Sequence, residues 1–328
     1  MSAFDPGHPL PVFAGIPTYL RAMQVEPGQV HPGDVAVVGV TWDHTTPGTI
    51  GARFGPKAIR EGSIFLGNQL QTARELATEL VEVSTLDVLR VSAASRIVDC
   101  GDFRVYPSDT ARTIAALEEQ AILLVRRGAM PVFLGGDRFV AYPLWRGVAA
   151  ATGEPIGFLQ IAADLCLADH DELWGPWWRG ATNRRILGSR DPAPAAMAWL
   201  GTSGFVPAAD WDLAASRQLT VVTARQIRAE GTAAAARRAL EAAMGSAARC
   251  YVSVDMSVVD GVFAPGTDGP RLGGLSSVEL LEVMDVLAGA PLAAVDVVNV
   301  VPNVELPITT QRLAAVALLR LLAKRVTT

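Results

Sequence analysis

The sequence has few cysteines, no dense basic cluster and no long apolar run, and each of these absences excludes a class of protein. Only three cysteines occur in 328 residues, widely spaced, which argues against a disulfide framework and favours a reducing compartment. No lysine and arginine cluster is present to follow phosphates, and the net charge is -5, so we expect no nucleic-acid partner. No uninterrupted apolar run approaches ~18 residues, and the first residues carry no signal-peptide pattern. We therefore expect a cytoplasmic protein with no membrane partner.

The composition is that of a chain with a large core. Hydrophobic residues make up 50% of the sequence and aromatic residues only 6%, so the core is rich in small aliphatic side chains. Residues 1–33 are rich in proline and glycine, which predicts an irregular N-terminal arm. Residues 34–328 are long enough for one large α/β domain, and we expect a single domain there.

Short apolar runs alternate with helical patterns along the chain. The sequence predicts strands at 34–40, 96–100, 131–134, 156–161, 197–201, 219–223, 250–255 and 293–298. It predicts helices from about residue 56 and at 110–127, 225–244, 276–288 and 308–324. This alternation predicts a mostly parallel sheet covered on both faces, a three-layer α/β/α architecture. In such sheets ligands bind outside the carboxyl ends of the strands.

The stretch 250–274 changes abruptly from a strand to a loop. It begins with the buried-strand pattern Tyr251, Val252 and Val254, and from Asp255 it becomes rich in aspartate, glycine and proline. We interpret it as a buried strand that presents acidic side chains at its carboxyl end.

Six segments, taken in order, resemble motifs of the ureohydrolases, the arginase and agmatinase family. The segments are residues 43–56, 99–102, 135–137, 157–166, 253–274 and 296–302, and together they span nearly the whole chain. The chain is therefore identified as a divergent member of this family, and the resemblance implies the arginase-like fold.

The same resemblance implies that the family's metal site has changed. Ureohydrolases hold two manganese ions with two histidines and four aspartates, because a pair of hard dications needs several anionic oxygens. Carried over residue by residue, those positions are Arg138, Ala162, Asp164, Cys166, Asp255 and Ser257. Four carboxylates become two and a cation is added, so we expect no metal cofactor. We expect Arg138 to pair with Asp255 or Asp164, since an unpaired buried charge is very costly. A single divalent metal on Asp164, Cys166 and Asp255 is the alternative, which Arg138 opposes.

The positions that face the substrate in the family have changed as well. Asp43 is retained in the first loop, but Thr49 and Ile50 stand where the family usually has arginine and proline. Arg179 corresponds to a substrate-side histidine, and Asn299 replaces a glutamate that would face a guanidinium. We therefore assign substrate binding to Asp43, Arg179, Ser257 and Asn299, and expect no ordinary hydrolysis of arginine or agmatine.

Two further kinds of residue carry a functional and a structural interpretation. Cys166 is either a nucleophile or a small side chain that fills space, and His170 is either a general base or an exposed loop histidine. Trp174, Trp177 and Trp178 either contact an apolar ligand or a neighbouring subunit, or pack their own loop onto the domain.

Three functions are consistent with these residues. The first is a metal-independent enzyme of specialised metabolism that acts on a small molecule and uses Arg138, Asp164, Cys166, Asp255 and His170. The second is a non-catalytic pseudoenzyme that binds a ligand or partners an active homologue. The third is a metal-dependent hydrolase of a guanidino or amide C–N bond. The resemblance also implies a homo-oligomer, a trimer or hexamer, and a hetero-oligomer with a homologue is the alternative.

Overall fold

A computed structural model describes residues 14–76, 78–83, 87–89, 96–306 and 308–323. The strands of these residues are β1 (Met23–Gln24), β2 (Val35–Gly39), β3 (Leu80–Glu82), β4 (Asp87–Leu89), β5 (Ile97–Asp102), β6 (Met130–Leu134), β7 (Gly157–Ile161), β8 (Met197–Thr202), β9 (Thr220–Thr223), β10 (Cys250–Asp255) and β11 (Leu292–Val298). The helices are α1 (Gly55–Glu75), α2 (Thr110–Arg126), α3 (Ala141–Thr152), α4 (Thr182–Leu187), α5 (Ala208–Ser216), α6 (Ala224–Glu230), α7 (Thr232–Met244), α8 (Ser277–Leu287) and α9 (Thr309–Ala323).

Nine of these strands form one parallel sheet in the order β1-β5-β2-β6-β11-β10-β7-β8-β9. β3 and β4 pair antiparallel as a separate ribbon. The central strands are buried along their whole length, as expected for a sheet with helices on both faces. The predicted parallel α/β sheet is confirmed.

Two hydrophobic clusters lie on opposite faces of the sheet. One contains the buried sides of α1, α6, α7, α8 and α9, and the other those of α2, α3, α4 and α5. Buried side chains of the strands contribute to both clusters, because successive residues of a strand face opposite sides. This gives the three layers of the α/β/α architecture.

The ends of α2 and the start of α8 carry the capping residues that their sequences indicate. Asp109 caps α2 by accepting a hydrogen bond from the backbone N–H of Arg112, and Gly128 follows that helix with a φ of 79°. Ser276 and Glu279 form a reciprocal capping box at the start of α8. Such caps satisfy backbone groups that helix ends leave without partners.

The N-terminal segment contains more structure than an irregular arm. Residues 14–33 include β1, which adds to the edge of the sheet beside β5, while residues 1–13 lie outside the described residues. Tyr19 is fully buried, and its backbone N–H donates to Asp99 at 2.8 Å. Asp99 also accepts from Arg60 at 2.9 Å, so the segment is attached to the domain by a buried polar contact.

Other details also differ from the sequence prediction. The single helix predicted at 225–244 is two helices, α6 and α7, which are separated by Gly231 with a φ of 90°. The short helices α4 and α5 were not predicted. Within the described ranges, no helix has both the length and the apolar surface that crossing a bilayer requires.

Candidate functional site

The candidate site lies at the carboxyl ends of four neighbouring strands in the middle of the sheet. These strands are β6, β11, β10 and β7. Arg138 follows β6, Asn299 follows β11, Asp255 ends β10 and Asp164 follows β7. The parallel topology therefore gathers side chains from four separate parts of the chain.

Arg138 is the centre of this group and is almost completely buried. Its Nη1 donates to Asp164 at 2.9 Å and to the Cys166 sulfur at 3.2 Å, and its Nη2 donates to the Ser257 hydroxyl at 3.3 Å. Its Nε lies 2.7 Å from an Asp255 carboxylate oxygen. That N–H is not aimed at the oxygen, so this contact is an ion pair rather than an aligned hydrogen bond. We call Arg138, Asp164, Cys166, Asp255 and Ser257 the Arg138 cluster.

Asp255 is fully buried, and its oxygen beside Arg138 has that ion pair but no hydrogen-bond partner among the described residues. One of its oxygens accepts from the Ser257 backbone N–H at 2.9 Å and from the Asn299 amide at 2.8 Å. The same amide donates to Asp268 at 2.9 Å, so Asn299 joins two carboxylates. Asn299 has a φ of 66°, a left-handed conformation that asparagine adopts more readily than most residues.

Asp164 is the carboxylate of the cluster that reaches the surface. Its side chain is 19% exposed and pairs with Arg138 inside and with Arg271 outside. Burial alone would raise the pKa of Asp164, but Arg138 and Arg271 outweigh burial and hold that pKa below its ordinary value. The group is therefore ionised at neutral pH and is a weak proton acceptor.

Cys166 contacts the same Arg138 guanidinium and is buried. Burial raises the pKa of its thiol to about 11, although the neighbouring Arg138 acts in the opposite direction. Its φ of 53° is unusual for a side chain other than glycine or asparagine, and such conformations concentrate at functional sites. A thiol with this pKa is protonated at neutral pH, so it is not activated as a nucleophile.

The backbone beside Arg138 is held by close packing. A Cβ atom on Gly136 would lie 1.6 Å from the Trp42 carbonyl oxygen, so only glycine fits there. Asp137 is buried next to it and accepts from the Thr45 hydroxyl at 2.6 Å and from the Thr46 hydroxyl at 3.0 Å. Burial raises the pKa of Asp137 to about 6, against the effect of these hydrogen bonds.

Two further arginine–aspartate pairs border the cluster. Asp43 is buried and pairs with Arg53, and Asp268 is buried and pairs with Arg179. Arg271 on Asp164 and Arg179 on Asp268 are therefore partly exposed guanidinium groups next to the cluster, since Asp268 shares the Asn299 amide with Asp255. His44 is exposed in the same loop as Asp43, and its ring lies 4.6 Å from that of Trp42.

The structure does not bring every predicted site residue to this cluster. His170 is exposed, and in the described part of the chain no hydrogen bond or ion pair links it to the cluster. Trp174 and Trp177 are about 40% exposed, at 38% and 40%, in a surface loop. Trp178 is less exposed and packs over Gly180. These contacts give His170 no catalytic role, and the predicted contact of the tryptophans with a ligand stays a prediction.

Asp268 and Arg271 lie in the motif 253–274, but the motif indicated no role for either of them. Asp268 joins Arg179 to Asn299, and Arg271 is the outer partner of Asp164. The pair between Arg271 and Asp164 links positions more than a hundred residues apart. The acidic and basic side chains of that loop were visible in the sequence, but their partners were not.

The residues present do not fit a pair of manganese ions. Among the side chains the structure describes, no group of three or more histidine, cysteine, aspartate or glutamate residues is arranged to hold a metal. The guanidinium group of Arg138 contacts Asp164, Cys166 and Asp255, which are the three candidate ligands of a single metal. A dication at that point would be repelled by a guanidinium that proteins cannot deprotonate.

Comparison with known proteins places these observations in a family. A sequence model described as the arginase family matches residues 33–323. Guanidinopropionase of Pseudomonas aeruginosa is 29% identical over 319 residues, which are 95% of this chain and 92% of that protein. Proclavaminate amidinohydrolase of Streptomyces clavuligerus is 30% identical over 299 residues, covering 90% of this chain and 88% of its own.

Solved structures agree with the sequence matches. The structure of proclavaminate amidinohydrolase from Streptomyces clavuligerus has a TM-score of 0.82 at 27% identity, and the match covers 97% of this chain and 99% of that one. Formimidoylglutamase of Bacillus subtilis also has a TM-score of 0.82, at 21% identity, and covers 99% of this chain and 96% of its own. The second likeness concerns the fold alone.

Proposed function

This chain belongs to the arginase family, and from that membership we propose that it binds a small guanidino acid without hydrolysing it, because Arg138 has replaced the metal pair. The observation that carries the proposal is the position of the Arg138 guanidinium, 2.7 Å from Asp255 and 2.9 Å from Asp164. By resemblance, those positions hold the metals in the ureohydrolases.

A guanidinium does not replace the chemistry of a metal. Bound metals polarise water into a hydroxide nucleophile at neutral pH, whereas a guanidinium is a permanently protonated hydrogen-bond donor. Arg138 can neutralise carboxylates and orient a ligand, but it supplies no activated water. We therefore infer that guanidine hydrolysis by the usual family route is absent.

The remaining groups of the cluster also favour binding over catalysis. Asp164 has a lowered pKa, which makes it a poor general base, and the pKa of Cys166 is about 11. Asp255 is fully buried and bonded to Arg138, Ser257 and Asn299. Neither Asp164 nor Cys166 therefore has a pKa near neutrality, where proton transfer would be efficient.

The names of the relatives and the charged side chains beside the Arg138 cluster together suggest the class of ligand. Two relatives are a guanidinopropionase and a guanidinobutyrase, names that denote acids bearing a guanidino group. The guanidinium groups of Arg179 and Arg271 suit a ligand carboxylate. Both oxygens of Asp164 already pair with arginines, so a ligand guanidinium would take the place of Arg271 beside this partly exposed carboxylate.

The test is a parallel measurement of metal content, urea release and ligand binding. The purified chain is incubated with manganese, dialysed and analysed for metal, then titrated with 3-guanidinopropionate and 4-guanidinobutyrate by calorimetry. We expect no stoichiometric manganese, no urea, and saturable binding that Asp164→Asn weakens. The guanidinopropionase of Pseudomonas aeruginosa serves as the positive control. Two manganese ions per chain together with urea release would overturn the proposal.

A second candidate is the metal-independent enzyme of specialised metabolism. It is favoured by one observation, the ionised Asp164 carboxylate that reaches the surface between two guanidinium groups. The discriminating result is turnover of a small molecule by the isolated chain in the presence of a chelator, abolished in Asp164→Asn. If the chain instead purifies with a metal-binding homologue and is inactive alone, the role of a partner subunit is supported.

A further inference from the structure

A cationic cavity lies outside the Arg138 cluster. Its volume is about 360 Å³, within the usual range for small-molecule sites. Its polar lining comes from α3, from α4, from the loop after β7 and from the residue that follows α5. The residues are Tyr142, Asp169, Arg184, Arg185, Ser189 and Arg217. None of them belongs to the Arg138 cluster or to the three pairs around it.

The charge of this cavity is not balanced by its own residues. Asp169 is the only carboxylate among the described residues that line it, and both Arg184 and Arg185 pair with it. No carboxylate of the described residues pairs with Arg217. Three guanidinium groups and one carboxylate leave a formal charge of two positive units. Like charges gathered at one cavity repel each other unless an anion neutralises them.

Hydrogen-bond donors in the cavity are also left over. The Tyr142 hydroxyl oxygen accepts from Arg146 at 3.2 Å, so its own hydrogen is free to donate into the cavity. The Nε of Arg185 is buried and has no hydrogen-bond partner. An unpaired buried donor is costly, and a ligand acceptor would remove that cost.

We propose that this cavity binds a small dianion, either a phosphate monoester or a dicarboxylate. The guanidinium groups of Arg184 and Arg217 and the Tyr142 hydroxyl are the donors, and the two negative charges of the ligand match the excess of the site. Arginine suits both ligands, because its planar fork matches the oxygens of a phosphate and of a carboxylate equally well.

The cavity is adjacent to the segment that carries Cys166. The backbone N–H of Arg184 donates to the Cys166 carbonyl at 3.2 Å, and that of Asn183 donates to it at 3.1 Å. Asp169 lies three residues further along the same segment. An anion held by α4 would therefore be placed next to the backbone that positions Cys166 in the central cluster.

The experiment is a calorimetric titration of the full chain at constant ionic strength with inorganic phosphate, glycerol 3-phosphate and succinate. Three proteins are compared: the wild type, Arg217→Gln, and the matched control Arg237→Gln. Arg237 is also exposed, lies on α7 and does not line the cavity. Neither substitution touches the Arg138 cluster, so the result does not depend on what that cluster does.

We expect saturable binding of at least one dianion, weakened about tenfold or more by Arg217→Gln and changed less than about twofold by Arg237→Gln. Tighter binding of glycerol 3-phosphate identifies a phosphate monoester, and tighter binding of succinate identifies a dicarboxylate. The proposal is overturned if none of the three probes saturates up to roughly 10 mM, or if the two substitutions weaken binding equally.

Discussion

Arg138 is a buried cation between two carboxylates, so its removal leaves uncompensated negative charge. We expect Arg138→Gln to lower the free energy of unfolding by about 3–5 kcal/mol, because Asp255 would then be buried beside Asp164 without a counter-ion. Arg271→Gln is the matched control, since Arg271 pairs with the same Asp164 but is 29% exposed. That change should cost at most about 1 kcal/mol. Urea unfolding of both variants measures the difference. Equal losses of stability would show that burial does not increase the contribution of Arg138 to the free energy of unfolding.

Asn299 is the neutral link between two carboxylates, and a nearly isosteric change tests that role. In Asn299→Asp the amide that donates to Asp255 and Asp268 becomes a third carboxylate. We expect a loss of at least about 3 kcal/mol at pH 7, because two charge-assisted hydrogen bonds become repulsions. The φ of 66° suits both residues, so backbone strain does not contribute. A loss that stays constant between pH 7 and pH 4 would contradict the electrostatic explanation.

Asp296 provides a prediction about pH. It is fully buried in the middle of the sheet, where Tyr251 donates to it at 2.8 Å and Ser253 at 2.7 Å. Burial raises its pKa from 3.8 to about 7, against these two hydrogen bonds. The folded state therefore keeps a proton that the unfolded state releases, so stability is present below pH 3.8 and is lost as the pH rises to about 7.

Asp296→Asn removes this contribution, because the amide does not titrate. We expect the wild type to lose up to about 4 kcal/mol between pH 4 and pH 7 through this group, and the variant to show a flatter curve. Asp137, whose pKa is raised to about 6 by burial, titrates in the same window and leaves a residual slope in the variant. Urea unfolding midpoints measured across this range give the stability of each protein as a function of pH. If the two curves are parallel, Asp296 does not cause the loss of stability between pH 4 and pH 7.

At the scale of elements, the connection between β6 and α3 is set by contact between two backbones. Gly136→Ala would place a Cβ 1.6 Å from the Trp42 carbonyl oxygen, so the segment that carries Arg138 must move. We expect a loss of stability of at least about 3 kcal/mol. Gly269→Ala is the control, because no atom lies within 4 Å of its added Cβ, and it should change stability little. Thermal unfolding of both variants provides the comparison, and similar midpoints would show that the contact relaxes easily.

The elements that the sequence predicted are those whose signals are local. β10 was predicted from its β-branched run and the aspartate that ends it, and α2 from its apolar spacing and its terminal glycine. The break between α6 and α7 depends on the positive φ of Gly231, and a single glycine in an alanine-rich segment does not reveal its φ. The short helices α4 and α5 are too short to show a clear period in the sequence.

The candidate site was predictable in part for the same reason. Arg138, Asp164 and Asp255 each follow a predicted strand, and the parallel topology made their meeting expected. The outer partners Arg271 and Asp268 lie in an irregular loop, where no period indicates the direction of a side chain. His170 was also predicted to belong to the site. It lies in the loop that follows β7, and the residues around it in the sequence do not determine the path of that loop.

At the scale of the molecule, family resemblance predicts a trimer or hexamer. Several large apolar side chains are strongly exposed on the isolated chain, and these are Leu173 at 90%, Phe205 at 97% and Leu272 at 77%. Such side chains mark a contact region where they form one contiguous patch, whereas single exposed ones are normal on a free surface. Light scattering coupled to size-exclusion chromatography should give a mass three or six times that of the chain. A monomer at every concentration tested would contradict the prediction, and a complex only with a homologue would support the hetero-oligomer.

The cation at the centre of this fold is attached to the chain by covalent bonds. A metal site fills according to mass action, so the fraction of working protein depends on how much metal the cell supplies. Arg138 is part of the polypeptide, so it is present in every copy of the protein whatever the concentration of manganese. The same covalent attachment also means that this positive charge cannot dissociate from the site or be replaced by another ion.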